Sequence, residues 1–180
     1  MLKIVTALGT TVLLLTLAVS NFVAAETPQE GKQAGPSKAA VDRARKTVKM
    51  LDDIYKSAIV LITENYVNDD NDLPAGSAFV ALFQSMDKKG WHTVRLIDLT
   101  GEPYEPENVA KDDFEKQAAK QLKAGKPFVE QVIEKDGKPY LRAMTAVPVV
   151  MQKCVMCHPQ YADAKKGAAI GAMSYTLPIE

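Results

Sequence analysis

Apolar residues recur at helical spacing over a long stretch in the first half of the chain. Positions such as Val41, Val48 and Tyr55 keep a three-then-four rhythm through several turns. Ser37, immediately before them, is a typical N-cap residue. The pattern predicts one long helix over 38–66. Its broad apolar face favours packing across a domain or pairing with a second copy, as a homodimer through this helix.

Helix, strand and turn signals alternate in the rest of the sequence. Asp136-Gly137, between two runs rich in β-branched and aromatic residues, is typical of a tight β-hairpin. The predicted elements, in chain order, are a helix over 74–89, a strand over 91–99, a helix over 109–124, a hairpin over 128–150 and a last strand over 171–179. This order predicts an α+β domain with an antiparallel sheet.

The chain has two cysteines, and both lie in the run Cys154-Val155-Met156-Cys157-His158. Two thiols three positions apart, followed at once by an imidazole, form the attachment site of a c-type haem. Each sulfur adds across one vinyl group of the porphyrin, and the imidazole binds the iron as the proximal axial ligand. The sequence therefore predicts one covalent haem c on Cys154 and Cys157, with His158 bound to the iron.

The alternatives for a Cys-x-x-Cys pair are a structural zinc site and a thiol redox motif. Zinc needs about four ligands, so both cysteines and both histidines would be consumed, and the adjacent Cys157 and His158 would have to bind the same ion. A thioredoxin-like motif belongs early in a βαβ unit, and no such unit precedes this one. The haem interpretation is therefore favoured.

Haem c is attached outside the cytoplasmic membrane, and the N-terminus agrees with export. A short basic start precedes an uncharged apolar run from Ile4 to Val19, which is followed by small residues. This predicts a signal peptide over 1–25 and an exported, periplasmic protein, with an uncleaved anchor as the alternative. Residues 26–37 are predicted to be a flexible linker and 38–180 a single haem-c domain.

Charge narrows the choice of partners. The chain has 22 basic and 22 acidic residues and a net charge of zero. A balance of this kind argues against nucleic acid or an anionic membrane surface as a partner. We expect instead a redox partner protein or a small gaseous ligand, and no membrane association after signal cleavage.

The second half of the chain resembles a family of exported haem-c domains with a PAS-like fold, long catalogued as a domain of unknown function. The resemblance covers 52–178. Besides the haem motif, it is carried by Gly90-Trp91, by Pro106 and Asn108, by Tyr140, Arg142 and Pro148, and by Gly171, Ser174 and Pro178. Members occur alone and as periplasmic sensing domains of chemotaxis receptors and histidine kinases. The resemblance implies a PAS-like antiparallel sheet with a covalent haem c.

The sixth iron ligand decides between electron transfer and ligand binding. Met86, Met50 and His92 are the candidates, and their alternative roles are core packing, a dimer contact and a surface histidine. Met144, Met151, Met156 and Met173 also lie near the motif in sequence. The resemblance implies that some relatives use a cysteine from the helix before Gly-Trp, where this chain has small residues. Arg142 and Lys153 are candidate contacts of the haem propionates.

The function predicted from these residues is that of an exported monohaem c-type cytochrome, acting in electron transfer or redox sensing. The alternative is a haem-based sensor that binds NO or CO at an open distal site. We do not expect an enzyme, because a peroxidase needs distal acid–base groups and His92 is the only other histidine.

Overall fold

The computed structural model describes residues 35–68, 75–165 and 167–180, with Cys157 described by its backbone alone. The predicted signal peptide over 1–25 and most of the predicted linker over 26–37 lie outside these residues. The elements in chain order are α1 (Lys38–Tyr66), α2 (Ala75–Lys88), β1 (Thr93–Asp98), α3 (Asp113–Lys123), β2 (Phe128–Lys135), β3 (Lys138–Pro148), α4 (Lys153–Cys157), a 3₁₀ turn (Pro159–Tyr161) and β4 (Ala169–Pro178).

Helix α1 has the bounds that the apolar periodicity predicts. The side chain of Ser37 accepts a hydrogen bond from the backbone nitrogen of Ala40, at 3.2 Å, and so satisfies one of the free donors at the helix start. Its buried face includes Ala44, Val48 and Tyr55, which are spaced by four and seven residues. None of the described helices has the length and apolar character needed to cross a membrane.

The four strands form one antiparallel sheet in the order β1-β4-β3-β2. The β2–β3 hairpin turns at Asp136 and Gly137, whose φ angles of 53° and 70° are both positive. Asp-Gly suits such a turn, because glycine and aspartate tolerate the left-handed region better than most residues. The α+β fold with a long first helix and an antiparallel sheet is therefore confirmed.

Each face of the sheet is covered by helices, since side chains along a strand alternate between the faces. On one face, Leu141 and Tyr175 pack in a cluster with residues of α1 and α2. On the other, Met144 and Ala172 pack with Leu122 of α3. We call these the α1 face and the α3 face.

Helix α3 begins four residues later than its apolar pattern predicts. Its N-cap is Asp112, whose carboxylate accepts from the backbone nitrogen of Glu115 at 2.9 Å. The residues before it are held in a loop, because the Arg95 guanidinium binds the carbonyls of Glu107 and Val109, each at 2.8 Å. The predicted helix start at Val109 was therefore wrong.

Candidate functional site

A mainly apolar cavity of about 270 Å³ lies on the α1 face, beside the ends of β1 and β4. This volume is just below the roughly 300–1,000 Å³ usual for small-molecule sites. Its walls come from the second half of α1, the first turn of α2 and the segment that carries the cysteine motif. They include Ile59, Val60, Ala75, Gly76, Cys154 and His158.

The motif forms a single short helical turn, α4. The backbone nitrogen of Cys154 donates to the carbonyl of Met151 at 3.2 Å, and that of His158 donates to the carbonyl of Cys154 at 3.1 Å. The Cys154 side chain is half-buried and its thiol is free. The turn thus brings a thiol and the following imidazole to the same cavity.

Two tyrosines hold the His158 ring. Tyr161 stacks on it, with ring centroids 4.9 Å apart and planes at 23°, and Tyr104 meets it edge-on at 5.6 Å and 82°. The Tyr161 hydroxyl donates to Asp98 at 3.3 Å, which fixes the stacked ring at the end of β1. Burial, followed by the charge of Asp98, raises the pKa of Tyr161 to about 12, so this hydroxyl stays protonated.

The environment of the His158 imidazole favours its neutral form. Burial lowers its pKa below the ordinary value, while the charge of Asp98 acts in the opposite direction. Its Nδ1 is buried and has no hydrogen-bond partner in the described part of the chain. An unsatisfied buried nitrogen costs about 1–3 kcal/mol. A neutral imidazole is the form that binds metals, so a metal-bearing group suits this ring.

Lys153 has a structural partner. Its Nζ donates to the carbonyls of Val67 at 2.7 Å, Glu64 at 2.8 Å and Thr63 at 3.4 Å. These carbonyls end α1 and would otherwise lack intrahelical donors. Lys153 therefore ties α4 to the end of α1 and also lines the cavity, and its predicted propionate contact stays a prediction.

The structure places Arg142 on the α3 face, away from the cavity. It donates to Asp112 at 2.6 Å, and its guanidinium carbon lies 4.5 Å from the centre of the Phe114 ring. The cause is strand alternation, because its neighbours Leu141 and Ala143 pack on the α1 face. Arg142 is therefore engaged away from the cavity that Cys154 and His158 line, and its propionate contact stays a prediction.

The three predicted distal ligands do not reach the cavity. Met50 is 55% exposed on α1. Met86 lies ten residues beyond Gly76 on α2, about 15 Å along the helix axis. His92 is buried 2.8 Å from the Tyr55 hydroxyl, so the expectation of a surface histidine was wrong. Its neighbour Trp91 is the exposed residue of that pair, at 67%.

Sequence reasoning underrated two methionines that do line the cavity, Met151 and Met173. Met173 is fully buried in β4, and its sulfur accepts a hydrogen bond from the Tyr175 hydroxyl at 3.5 Å. Side chains alternate along β4, so Met173 and Tyr175 lie on the same face of the sheet. This alternation is the sequence signal that could have identified Met173. The supporting roles of Tyr104 and Tyr161 have no comparable signal, because they depend on tertiary contacts.

A second cavity, of about 540 Å³ and more polar, lies on the α3 face. At its centre Glu115, only 3% exposed, accepts from Arg95 at 2.5 Å, from the Ser174 hydroxyl at 2.9 Å and from the Lys111 backbone nitrogen at 2.8 Å. Arg142 lies 3.7 Å from the same carboxylate. These polar groups satisfy one another.

Comparison with known proteins agrees with the fold. The structure is similar to the crystal structure of the cyanobacterial haem protein Tll0287, with a TM-score of 0.52 and 12% sequence identity over 79% of this chain and 96% of that one. At this identity the likeness concerns the fold. No protein with a curated description matches the chain. The Tll0287-like family model matches residues 31–177, which confirms the family resemblance noted in the sequence. The chain therefore belongs to the Tll0287-like family.

Proposed function

We propose that this protein carries one covalent haem c, attached through Cys154 and Cys157, with His158 as the proximal iron ligand. The observation that carries the proposal is the helical turn that brings Cys154 and the His158 imidazole to the wall of one mainly apolar cavity. The Nδ1 of that imidazole is buried and has no partner among the described residues. The structural relative is described as a haem protein, which supports the same assignment.

Haem c, when bound, supplies a one-electron couple at its iron. The chain supplies the environment of that couple. Apolar side chains such as Ile59 and Val60 line the cavity, and a low-dielectric surrounding strengthens the electrostatic interactions within it. Tyr161 and Tyr104 hold the imidazole plane, and neutral His158 offers a nitrogen lone pair.

The role we propose is redox: electron transfer or redox sensing with a separate partner protein. Haem c is attached outside the cytoplasmic membrane, so the proposal includes export and removal of residues 1–25. The apolar run from Ile4 to Val19 supports it.

A second candidate, binding of a small gas such as NO or CO, is favoured by the first turn of α2. Ala75 and Gly76 line the cavity and carry no ligating side chain. Among the described residues, a Cβ added at Gly76 would meet only Leu96, at 3.9 Å. Small side chains here leave room for a diatomic ligand, and the predicted ligands Met86, Met50 and His92 lie elsewhere.

The haem proposal is tested by producing the exported protein in a host that attaches haem c, then measuring its intact mass and absorption spectrum. We expect one covalent haem per chain. The double variant Cys154→Ser with Cys157→Ser should lose it, while the matched change Met156→Leu within the same turn should keep it. Wild-type protein without covalent haem, or equal haem content in the double variant, would contradict the proposal.

The two roles are separated by adding CO to the reduced protein. Immediate spectral change indicates an open iron and favours the gas-binding role. Absence of change in the wild type, with CO binding gained in Met173→Leu, indicates that Met173 is the sixth ligand and favours the redox role. Met86→Leu is the control, because Met86 does not line the cavity and should not alter CO binding.

A further inference from the structure

Helix α1 has a second apolar surface that does not contact the sheet. Met50, Ile54 and Leu61 are 55%, 53% and 58% exposed. Their spacing of four and then seven residues places them on one side of the helix, away from the buried positions Val48 and Tyr55. We call these three residues the α1 stripe. Contiguous exposed apolar side chains of this kind mark interaction surfaces.

Charges flank the α1 stripe asymmetrically. Lys46 lies before it and Glu64 after it, and both are exposed. Neither side chain forms an ion pair with another described residue. Eighteen residues, or about five helical turns, separate the two, so they project from the same flank of the helix.

The positions of these residues are self-complementary. The midpoint between Lys46 and Glu64 is residue 55, and the midpoint between Met50 and Leu61 falls between 55 and 56. Two copies of α1 related by a two-fold axis at that point, running antiparallel, would bring both pairs together at once. A parallel arrangement would instead put Lys46 level with Lys46 of the partner subunit.

The side of the helix on which Lys46 and Glu64 lie also favours an antiparallel pair. In an antiparallel helix pair, residues of equal flank face each other, and oppositely charged flanking residues fix helix orientation. Lys46 and Glu64 share a flank, so the antiparallel pair joins them twice, once on each side of the axis. A two-fold interface uses the same patch on both subunits, as this arrangement requires.

We propose that a second copy of this chain covers the α1 stripe, through antiparallel, two-fold pairing of the α1 helices. Met50 lies against Leu61 of the partner subunit, and Lys46 pairs with Glu64 of the partner subunit. The stripe residues do not line the cavity, which α1 bounds with other residues such as Ile59 and Val60. One helix therefore serves both the site and the interface, and this inference does not depend on the haem.

The first test measures the mass of the exported holoprotein in solution by light scattering over a range of concentrations. We expect a dimer at high concentration, and a shift to monomer of at least tenfold in concentration for Leu61→Glu. Val132→Glu, at an apolar residue 41% exposed on β2, is the matched control and should leave association unchanged. A monomeric holoprotein at all concentrations, or undiminished association of Leu61→Glu, overturns the proposal.

Charge exchange guards against a variant that misfolds. Lys46→Glu should weaken the dimer, because it faces Glu64 of the partner subunit with a second carboxylate. Combining it with Glu64→Lys should restore association, and the restored dimer should weaken as salt is raised. Failure of the double change to restore association overturns the pairing.

Orientation is read from cysteine cross-linking. The double variant Met50→Cys with Leu61→Cys should form a covalent dimer on mild oxidation, whereas each single variant and the wild type should not. The two positions lie about 16 Å apart along one helix, so they cannot bridge within a chain. Cross-linking of the single variants would show a parallel pair and overturn the antiparallel arrangement.

Discussion

The two cavities of this protein, on opposite faces of one sheet, are built on opposite principles. On the α3 face, Glu115 is buried with Arg95 and Ser174 as hydrogen-bond partners. On the α1 face, His158 is half-buried between two tyrosines, and its buried Nδ1 has no partner among the described residues. Among the described residues, the Glu115 carboxylate has hydrogen-bond partners and the His158 Nδ1 has none.

The difference separates a structural polar cluster from a ligand site. The α3-face cavity is the larger and more polar, yet the charges around Glu115 are already paired with Arg95 and Arg142. The α1-face cavity is smaller and mainly apolar, and it is lined by His158, whose Nδ1 has no partner among the described residues. The polar atom without a hydrogen-bond partner, and not the cavity volume, therefore identifies the candidate ligand site.

The largest expected effect comes from breaking the complete cluster. Glu115→Gln keeps the size of the side chain but leaves the Arg95 charge without its partner. Breaking a buried ion pair from one side costs about 3–5 kcal/mol of unfolding free energy, and we expect the low end because Arg95 is partly exposed. Urea unfolding measures the loss.

The control is Glu107→Gln, which removes an exposed partner of Lys111. Exposed pairs contribute little, so no measurable change is expected. Equal losses in the two variants would remove the distinction between the clusters.

On the α1 face, we expect replacement of His158 not to lower the unfolding free energy, in contrast to Glu115→Gln. In haem-free protein, His158→Phe replaces an unpaired nitrogen with an apolar ring of similar shape. The unfolding free energy should stay the same or rise by about 1 kcal/mol, because an unsatisfied polar group is removed. Denaturation of haem-free wild type and variant gives the comparison. A loss as large as that of Glu115→Gln would show that the fold itself needs the imidazole.

Two glycines line the α1-face cavity, and they differ in the space available for an added Cβ. A Cβ at Gly171 would lie 3.2 Å from the backbone oxygen of Ile97, whereas the one described residue near a Cβ at Gly76 is Leu96, at 3.9 Å. Gly76→Ala should raise the unfolding free energy by about 0.5 kcal/mol through helix propensity. Gly171→Ala should lower it, because the strand pair must shift. Thermal melts of the two variants decide, and equal shifts would contradict the difference in space.

The smallest effect concerns pH. Burial lowers the pKa of His92, so between that lowered value and the unfolded value of about 6.5 the unfolded chain binds more protons. Unfolding free energy should therefore be full above pH 6.5 and fall as the pH drops through this window. His92→Gln should remove part of this slope. Urea unfolding at a series of pH values measures this pH dependence of the unfolding free energy. An unchanged slope in His92→Gln would contradict its attribution to His92.

Much of the fold follows from local signals in the sequence. The α1 bounds follow from apolar spacing and Ser37, and the hairpin follows from Asp136-Gly137, because both signals depend on neighbouring residues alone. The start of α3 does not, since the Val109 carbonyl is bound by Arg95, which is distant in sequence. Tertiary hydrogen bonds decide such boundaries.

The candidate site divides in the same way. The spacing of Cys154 and His158 is local and is preserved in one helical turn. The face of the sheet that carries Arg142 could not be predicted from the sequence. Both faces are covered by helices, and strand alternation alone does not show on which face a given residue lies. Met86 and His92 were candidates by residue type, and only the packing of α2 and β1 shows that neither lines the cavity.

A single ammonium group fastens the segment that carries Cys154 to the longest helix of the protein. Lys153 is the first residue of α4, and its Nζ holds the last carbonyls of α1. A shift of α4 must therefore either pull α1 along or release its final turn to water. The helix is about 43 Å long, and its first half is packed in the core with the sheet. One side chain therefore joins the segment that carries Cys154 to an element that continues from the cavity into that core.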